Sequence, residues 1–368
     1  MPQRLDYIDI ARALGMAMVI VGHVLIVFVT IPLAFNPTAF AVTKVIYAFH
    51  MPLFFFLSGL TYRKRAIRAV AISTVALLLL AQLTHLVGVV LDYLANGKEF
   101  DPLAALQTLV LLRDFSIGVT WFLVSIAFVR LMFALLCESG RLGQVFVMIL
   151  VAISLVATIA TDITVLQVQT LWAGLLFYAL GRASLGMRRP VDDARKILPI
   201  KAVTVVVAGM AVSLTAVLNM GCTANPFAIC STSTLHGNFI VRMISGQYGF
   251  LPLFVLTALC GTVTVISLAK LLENLPLVLR ARLIWIGRNT LALLLLNGCF
   301  LVIGNPMIRA AASGGYAAWV PWGIAFTVLL MHLAALPLVS PVVRGVEIAI
   351  QRVAETLITI VLQQCRRQ

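Results

Sequence analysis

Long apolar runs separated by short polar segments dominate this chain. They begin near Ile8, Ala39, Ala66, Ile117, Leu142, Ile163, Leu198, Gly246, Leu283 and Ala318. A helical bilayer crossing takes about 20 mostly apolar residues, because no backbone N–H or C=O can go unpaired in hydrocarbon. The pattern predicts an all-α polytopic membrane protein of about ten transmembrane helices. After Pro341 the spacing changes. Val346, Ile350, Val353, Leu357 and Ile360 recur at helical intervals, interleaved with Arg344, Glu347, Arg352 and Glu355. That spacing predicts an amphipathic helix on the inner leaflet, with a seam for a homodimer as the less favoured use. Residues 1–341 are therefore expected to form one transmembrane domain and 342–368 a cytoplasmic amphipathic tail. No internal repeat or low-complexity tract is visible.

Composition agrees with the pattern: 11% of residues are charged and 62% hydrophobic. A globule of this size has too little interior to hide such an excess, so lipid must solvate most of the surface. The formal charge of +14 would point to nucleic acid in a soluble chain. Here its distribution argues against a nucleic-acid partner. With the N-terminus inside, Arg4, Arg63, Lys64, Arg65, Arg68, Arg141, Arg182, Arg188, Arg189, Arg195, Lys196, Lys270, Arg280, Arg282, Arg344, Arg352, Arg366 and Arg367 all fall on the cytoplasmic side. The opposite side keeps only Lys44, Lys98, Arg113, Arg242 and Arg309. The positive-inside rule then places both termini in the cytoplasm. The first apolar run is too long for a signal-peptide core, lacks a cleavage site and contains Asp9 and Arg12, so it reads as a retained span.

Cys137, Cys260 and Cys299 lie in apolar runs and read as small buried hydrophobes. Cys222 and Cys230 lie in the long outer segment 219–245, where both a disulfide and free thiols fit the sequence.

The first span carries three residues that hydropathy does not require: Asp9, Arg12 and His23. Ionisable groups in a bilayer are costly and face a protein interior or a watery cavity. Eleven positions separate Arg12 from His23, close to three helical turns, so both share one face about 16 Å apart. Asp9 sits one turn before Arg12, placed to neutralise it. The same residues also fit an interfacial anchor pair plus a hydrogen-bonded helix contact. The second span, entering from outside, brings His50 to an overlapping depth, and two histidines there make a candidate proton-handling pair. The five histidines show no i, i+4 pairing and no Cys/His cluster has zinc spacing, so no metal is expected. His85 falls near the outer edge of the third span and His236 in an outer loop, neither with an expected catalytic role, and His332 is a weaker mid-membrane candidate.

Taken together, these residues resemble the acyltransferase-3 family. The opening Asp9-Ile10-Ala11-Arg12 through Gly22-His23 is similar to its signature of a basic residue, ten intervening residues and a histidine. The stretch from Phe49 through His50 and Ser58 to Gly59 resembles its second-span motif, Trp121-Phe122-Leu123 its short aromatic motif, and Ile286-Gly287-Arg288-Asn289-Thr290-Leu291 a segment opening a late span. The nearest resemblance is to fucose 4-O-acetylases and exopolysaccharide acetyltransferases. One departure is that relatives often close the late-span motif with a histidine where this chain has Asn297, a side chain that hydrogen-bonds but does not titrate.

The resemblance implies transfer of an acyl group, usually acetyl from cytoplasmic acetyl-CoA as co-substrate, to a sugar hydroxyl of a cell-surface or exported polysaccharide or its lipid-linked precursor, in a bacterial inner membrane. No bound cofactor is implied. His23 is expected to be the base, directly or through an acyl-imidazole; His50 relays the proton or holds the sugar, and Asp9 supports Arg12. Arg12, Arg65, Arg68 and Arg288 are the candidates for the coenzyme A phosphates, positive-inside anchoring being an equally good use of Arg65 and Arg68, with Trp121, Asn297 and Ser58 as further site candidates. The rival classes are a proton-coupled secondary transporter and a lipid-linked sugar flippase. Crowding of the polar residues into the first two spans speaks against the transporter.

Overall fold

A computed structural model describes residues 5–30, 35–160, 164–184, 194–219, 239–313 and 315–365. The described chain is helical, with no β-strand. The helices are α1 Asp6–Val29, α2 Pro37–Leu60, α3 Ile67–Asn96, α4 Pro102–Leu111, α5 Trp121–Glu138, α6 Gly140–Ala160, α7 Val168–Ala183, α8 Ala194–Leu218, α9 Leu251–Leu272, α10 Leu277–Arg288, α11 Thr290–Ala312 and α12 Val320–Cys365. Local chemistry sets several of the starts. The Asn36 side chain accepts from the Ala39 N–H ahead of α2, and Asp101 accepts from Leu103 and Ala104 ahead of α4. Pro37 and Pro102 occupy the first positions, where a missing N–H is harmless.

Among the described residues nine helices are long and apolar enough to cross a bilayer: α1, α2, α3, α5, α6, α8, α9, α11 and α12. Cross-helix bonds then require a tenth crossing. Arg12 donates to Thr61, placing the start of α1 and the end of α2 on one side. Asn36 donates to the Ala318 carbonyl, joining the starts of α2 and α12 on the other. Arg68 donates to Thr359, returning the far end of α12 to the first side. Two chain ends on one side need an even number of crossings, and α7 supplies the missing one. Its Gln169 carbonyl meets Thr158 near the end of α6, while its Tyr178 ring meets Tyr62 just past α2. At 16 residues α7 is short, but it is enclosed by protein, which relaxes the length rule for lipid-facing helices. Gly59 and Gly181 let α2 and α7 touch: a methyl on either would overlap a backbone carbonyl of the other helix, at Tyr178 and Phe56 respectively.

One apolar core joins α1, α2, α5, α7 and α9, and a second joins α1, α11 and α12. α6 and α8 turn Leu142, Met148, Val203 and Met210 outward, as lipid-facing helices do.

Two boundaries differ from the sequence reading. The span expected near Leu283 starts at Thr290, because α10 is a separate helix ending at Arg288 and the next residue, Asn289 (φ −109°, ψ 24°), leaves helical geometry. The three arginines of α10 explain why it stays out of hydrocarbon. The tail is helical, but no break occurs at Pro341: α12 runs 46 residues through Pro337 and Pro341. Val346 and Ile350 pack on the cluster containing Leu80, Ala81 and Leu123, contacts that support the helix just beyond the two missing donors. Cys222, Cys230, His236, Arg4, Arg188, Arg189, Arg366 and Arg367 lie outside the described residues.

Candidate active site

At the basic end of α2, a cavity of about 220 Å³ is lined by Ser58, Thr61, Tyr62, Arg63, Arg65, Arg130 and Tyr178, among others. Among the described residues three guanidiniums line it and no carboxylate does. Arg12 adjoins it, donating to Thr61 Oγ1 over 3.3 Å. The Tyr62 hydroxyl, its proton held more tightly because of burial and the nearby Glu138 carboxylate, donates to Glu138 over 3.3 Å. Such a lining suits a polyanion, since guanidinium forks match phosphate oxygens.

Asp9 organises the adjoining end of α1. Its side chain is 1% exposed and pairs with Arg12 at 3.3 Å and Arg288 at 3.2 Å. Gly287 makes the second pair possible: a methyl there would overlap the Asp9 carbonyl, so only glycine lets α10 lie against α1. Arg288 is thereby engaged by Asp9. Arg68, expected beside it as a phosphate contact, instead donates to Thr359 over 3.0 Å and does not line the cavity.

A second cavity, about 340 Å³, opens toward the other end of the same helices. His23, Tyr47, His50, Trp121, Asn305, Arg242 and Arg309 are among its lining residues. Its size is that of a small-molecule site. His50 Nδ1 lies 2.8 Å from the Ile46 carbonyl. A carbonyl only accepts, so Nδ1 carries the proton and Nε2 of the neutral ring keeps its lone pair. His23 Nδ1 lies 2.8 Å from the Asn297 amide, and Asn297 is fully buried. The Tyr47 ring meets both imidazoles edge-on, with centroids 6.1 Å from His23 and 5.0 Å from His50.

The structure therefore gathers His23, His50 and Trp121 at one cavity, with Asn297 bonded behind His23, and Ser58 and Arg65 at the other, with Arg12 bonded to its Thr61. His332 is set apart, its Nδ1 bonded to the Val328 carbonyl at 2.7 Å and its ring against Phe300. His85 accepts from the Ser116 N–H at 3.2 Å in a different pocket. The sequence reading passes over Arg130, although a cation inside an apolar run is the very signal that singles out Arg12. It also gives no site role to Tyr47, Tyr178, Asn305, Arg242 and Arg309. Among the described residues no group of three or more His, Cys, Asp or Glu is placed to hold a metal.

Comparison with known proteins gives one family: a family model described as an acyltransferase domain, that of acyltransferase-3, matches residues 5–336. No curated protein and no solved structure matches the chain.

Proposed function

Since this chain belongs to the acyltransferase-3 family and is a membrane acyltransferase, we propose that it moves an acetyl group from cytoplasmic acetyl-CoA to a sugar hydroxyl. The acceptor is a cell-surface or exported polysaccharide, or its lipid-linked precursor, and the membrane is a bacterial inner membrane. The observation that carries this reading is the pair of cavities at opposite ends of α1 and α2, arginine-lined at one end and histidine-lined at the other.

The donor's phosphates would sit against Arg63, Arg65 and Arg130, with Arg12 at the edge, and its extended arm would point along the face of α1 toward His23, about 16 Å away. A sugar hydroxyl is a weak nucleophile at neutral pH and needs a base. His23 takes the hydroxyl proton as the oxygen attacks the thioester carbonyl; the C–S bond then breaks, and the departing thiolate receives the proton as free coenzyme A. For Nε2 to take that proton, Nδ1 must already carry one, so the Asn297 carboxamide turns its oxygen, otherwise buried without a partner, to accept from Nδ1–H before and after the transfer. His50, with Nε2 left as an acceptor, orients the hydroxyl or relays the proton.

The test is the O-acetyl content of the polysaccharide, measured with extracted protein level. His23→Ala should lower transfer by about 10²-fold or more while the protein accumulates normally, since no charge is left unpaired. Wild-type acetylation from a folded His23→Ala protein would end the catalytic assignment.

A further inference from the structure

Five basic residues lie on the sparsely charged side of this protein, and what each one touches separates them. Lys98 pairs with Asp92 at 3.9 Å and Arg113 with Asp114 at 3.2 Å. Lys44 is buried over the Phe40 ring, 5.8 Å from its centroid. Arg242 and Arg309 have no carboxylate partner among the described residues. Both line the histidine cavity. Arg309 donates only to a hydroxyl, that of Thr30, at 2.9 Å.

Among the described residues no Asp or Glu lines that cavity. Asn305, which also lines it, has a buried Oδ1 with no partner. Cations are disfavoured on this side of a membrane protein. Two guanidiniums with no carboxylate partner among the described residues line one cavity with two histidines and the Trp121 ring, a lining that suits negative charge joined to a hydroxylated body.

We propose that the acceptor is an anionic saccharide, held by its acidic group against Arg242 and Arg309 while its reacting hydroxyl meets His23. This rests on the acyltransferase reading and adds the acceptor's charge. The acidic group is either the carboxylate of an acidic sugar or the phosphate of a lipid-linked precursor. Both offer paired oxygens to a guanidinium fork. Arg242 and Arg309 select the acceptor, and the Asn305 oxygen receives one of its hydroxyls.

Binding tests this without any transfer step. The intact chain, purified in nanodiscs of zwitterionic lipid, is titrated with a hexuronate tetrasaccharide, a neutral hexose tetrasaccharide of the same linkage, and inorganic pyrophosphate. At least one anionic probe should bind tenfold or more tighter than the neutral one. Arg242→Gln and Arg309→Gln should each weaken that probe about tenfold and leave the neutral one unchanged, while Arg→Lys at either position should retain most of the binding. Preference for the uronate assigns the acid to the sugar; preference for pyrophosphate assigns it to the lipid carrier. Equal binding of the neutral probe, failure of both anionic probes, or indifference to both Arg→Gln changes would overturn the proposal. Both arginines are exposed, so the variants should fold. A failure of the acyltransferase reading would show separately, in the His23→Ala measurement.

Discussion

His23 and His50 reach one cavity but are held differently. The Ile46 carbonyl commits His50 to a single neutral tautomer, whereas the Asn297 carboxamide fits either tautomer of His23 and, with its oxygen on Nδ1–H, leaves Nε2 free as the base. This gives Asn297 a positioning role that two substitutions separate. Asn297→His restores a group able to donate and accept, and should keep most of the acyl transfer. Asn297→Leu fills similar space with no polar atom and removes a bond to a ring that becomes charged, which is worth a drop of about 10- to 100-fold. Transfer rate against pH would show the loss: the leucine variant should shift the acidic limb of the profile, and a purely structural defect would lower all pH values alike. An inactive but folded Asn297→His protein would contradict this role. The site is legible in the sequence to the extent that its residues are out of place in an apolar run. Asp9, Arg12 and His23 stand out on that ground, as Arg130 does once the rule is applied evenly. Tyr47, Tyr178 and Asn305 do not, because such residues are ordinary in membrane helices and only packing shows which of them line a cavity.

At the scale of elements, hydropathy locates the spans well where lipid sets their length. The runs beginning near Ile8, Ala39 and Ala66 become helices starting at Asp6, Pro37 and Ile67. It fails where protein contacts set the geometry. Nothing in a hydropathy run distinguishes the docked helix α10 from the first turns of α11, and a proline pair does not reveal that packing on α3 will carry α12 through it. The α10 contact is the more consequential, since it brings Arg288 to Asp9. Gly287→Ala should push α10 from α1, with an overpacking cost of about 1–3 kcal/mol and loss of the Asp9–Arg288 pair. In a detergent melt it should lower the midpoint clearly, and donor-dependent transfer should fall with it. Gly345→Ala, at a helix position where an added methyl meets open space, is the matched control and should be neutral or slightly stabilising. Equal melting of both variants would show that α10 does not need its close approach.

The whole molecule is a two-sided device, and its sidedness follows from two independent arguments. Charge asymmetry in the sequence assigns the basic ends to the cytoplasm. Cross-helix bonds in the structure require an even number of crossings, with the short α7 counted as a full one. On the proposed reading the arginine cavity then opens toward acetyl-CoA and the histidine cavity toward the exported glycan, so a wrong count would break the proposed reaction as well as the topology. Two exposed positions test it. Leu103 on α4 is 64% exposed and Leu277 at the start of α10 is 69% exposed, and α4 and α10 are surface helices too short to span. In a variant with the native cysteines replaced, a membrane-impermeant thiol reagent should label Leu103→Cys in intact cells. Leu277→Cys should be labelled only after the membrane is opened. Were α7 not a crossing, every element after it would change sides and Leu277→Cys would be labelled in intact cells along with Leu103→Cys. That outcome would place α10, with Arg288, away from Asp9, which the paired geometry at Gly287 does not permit.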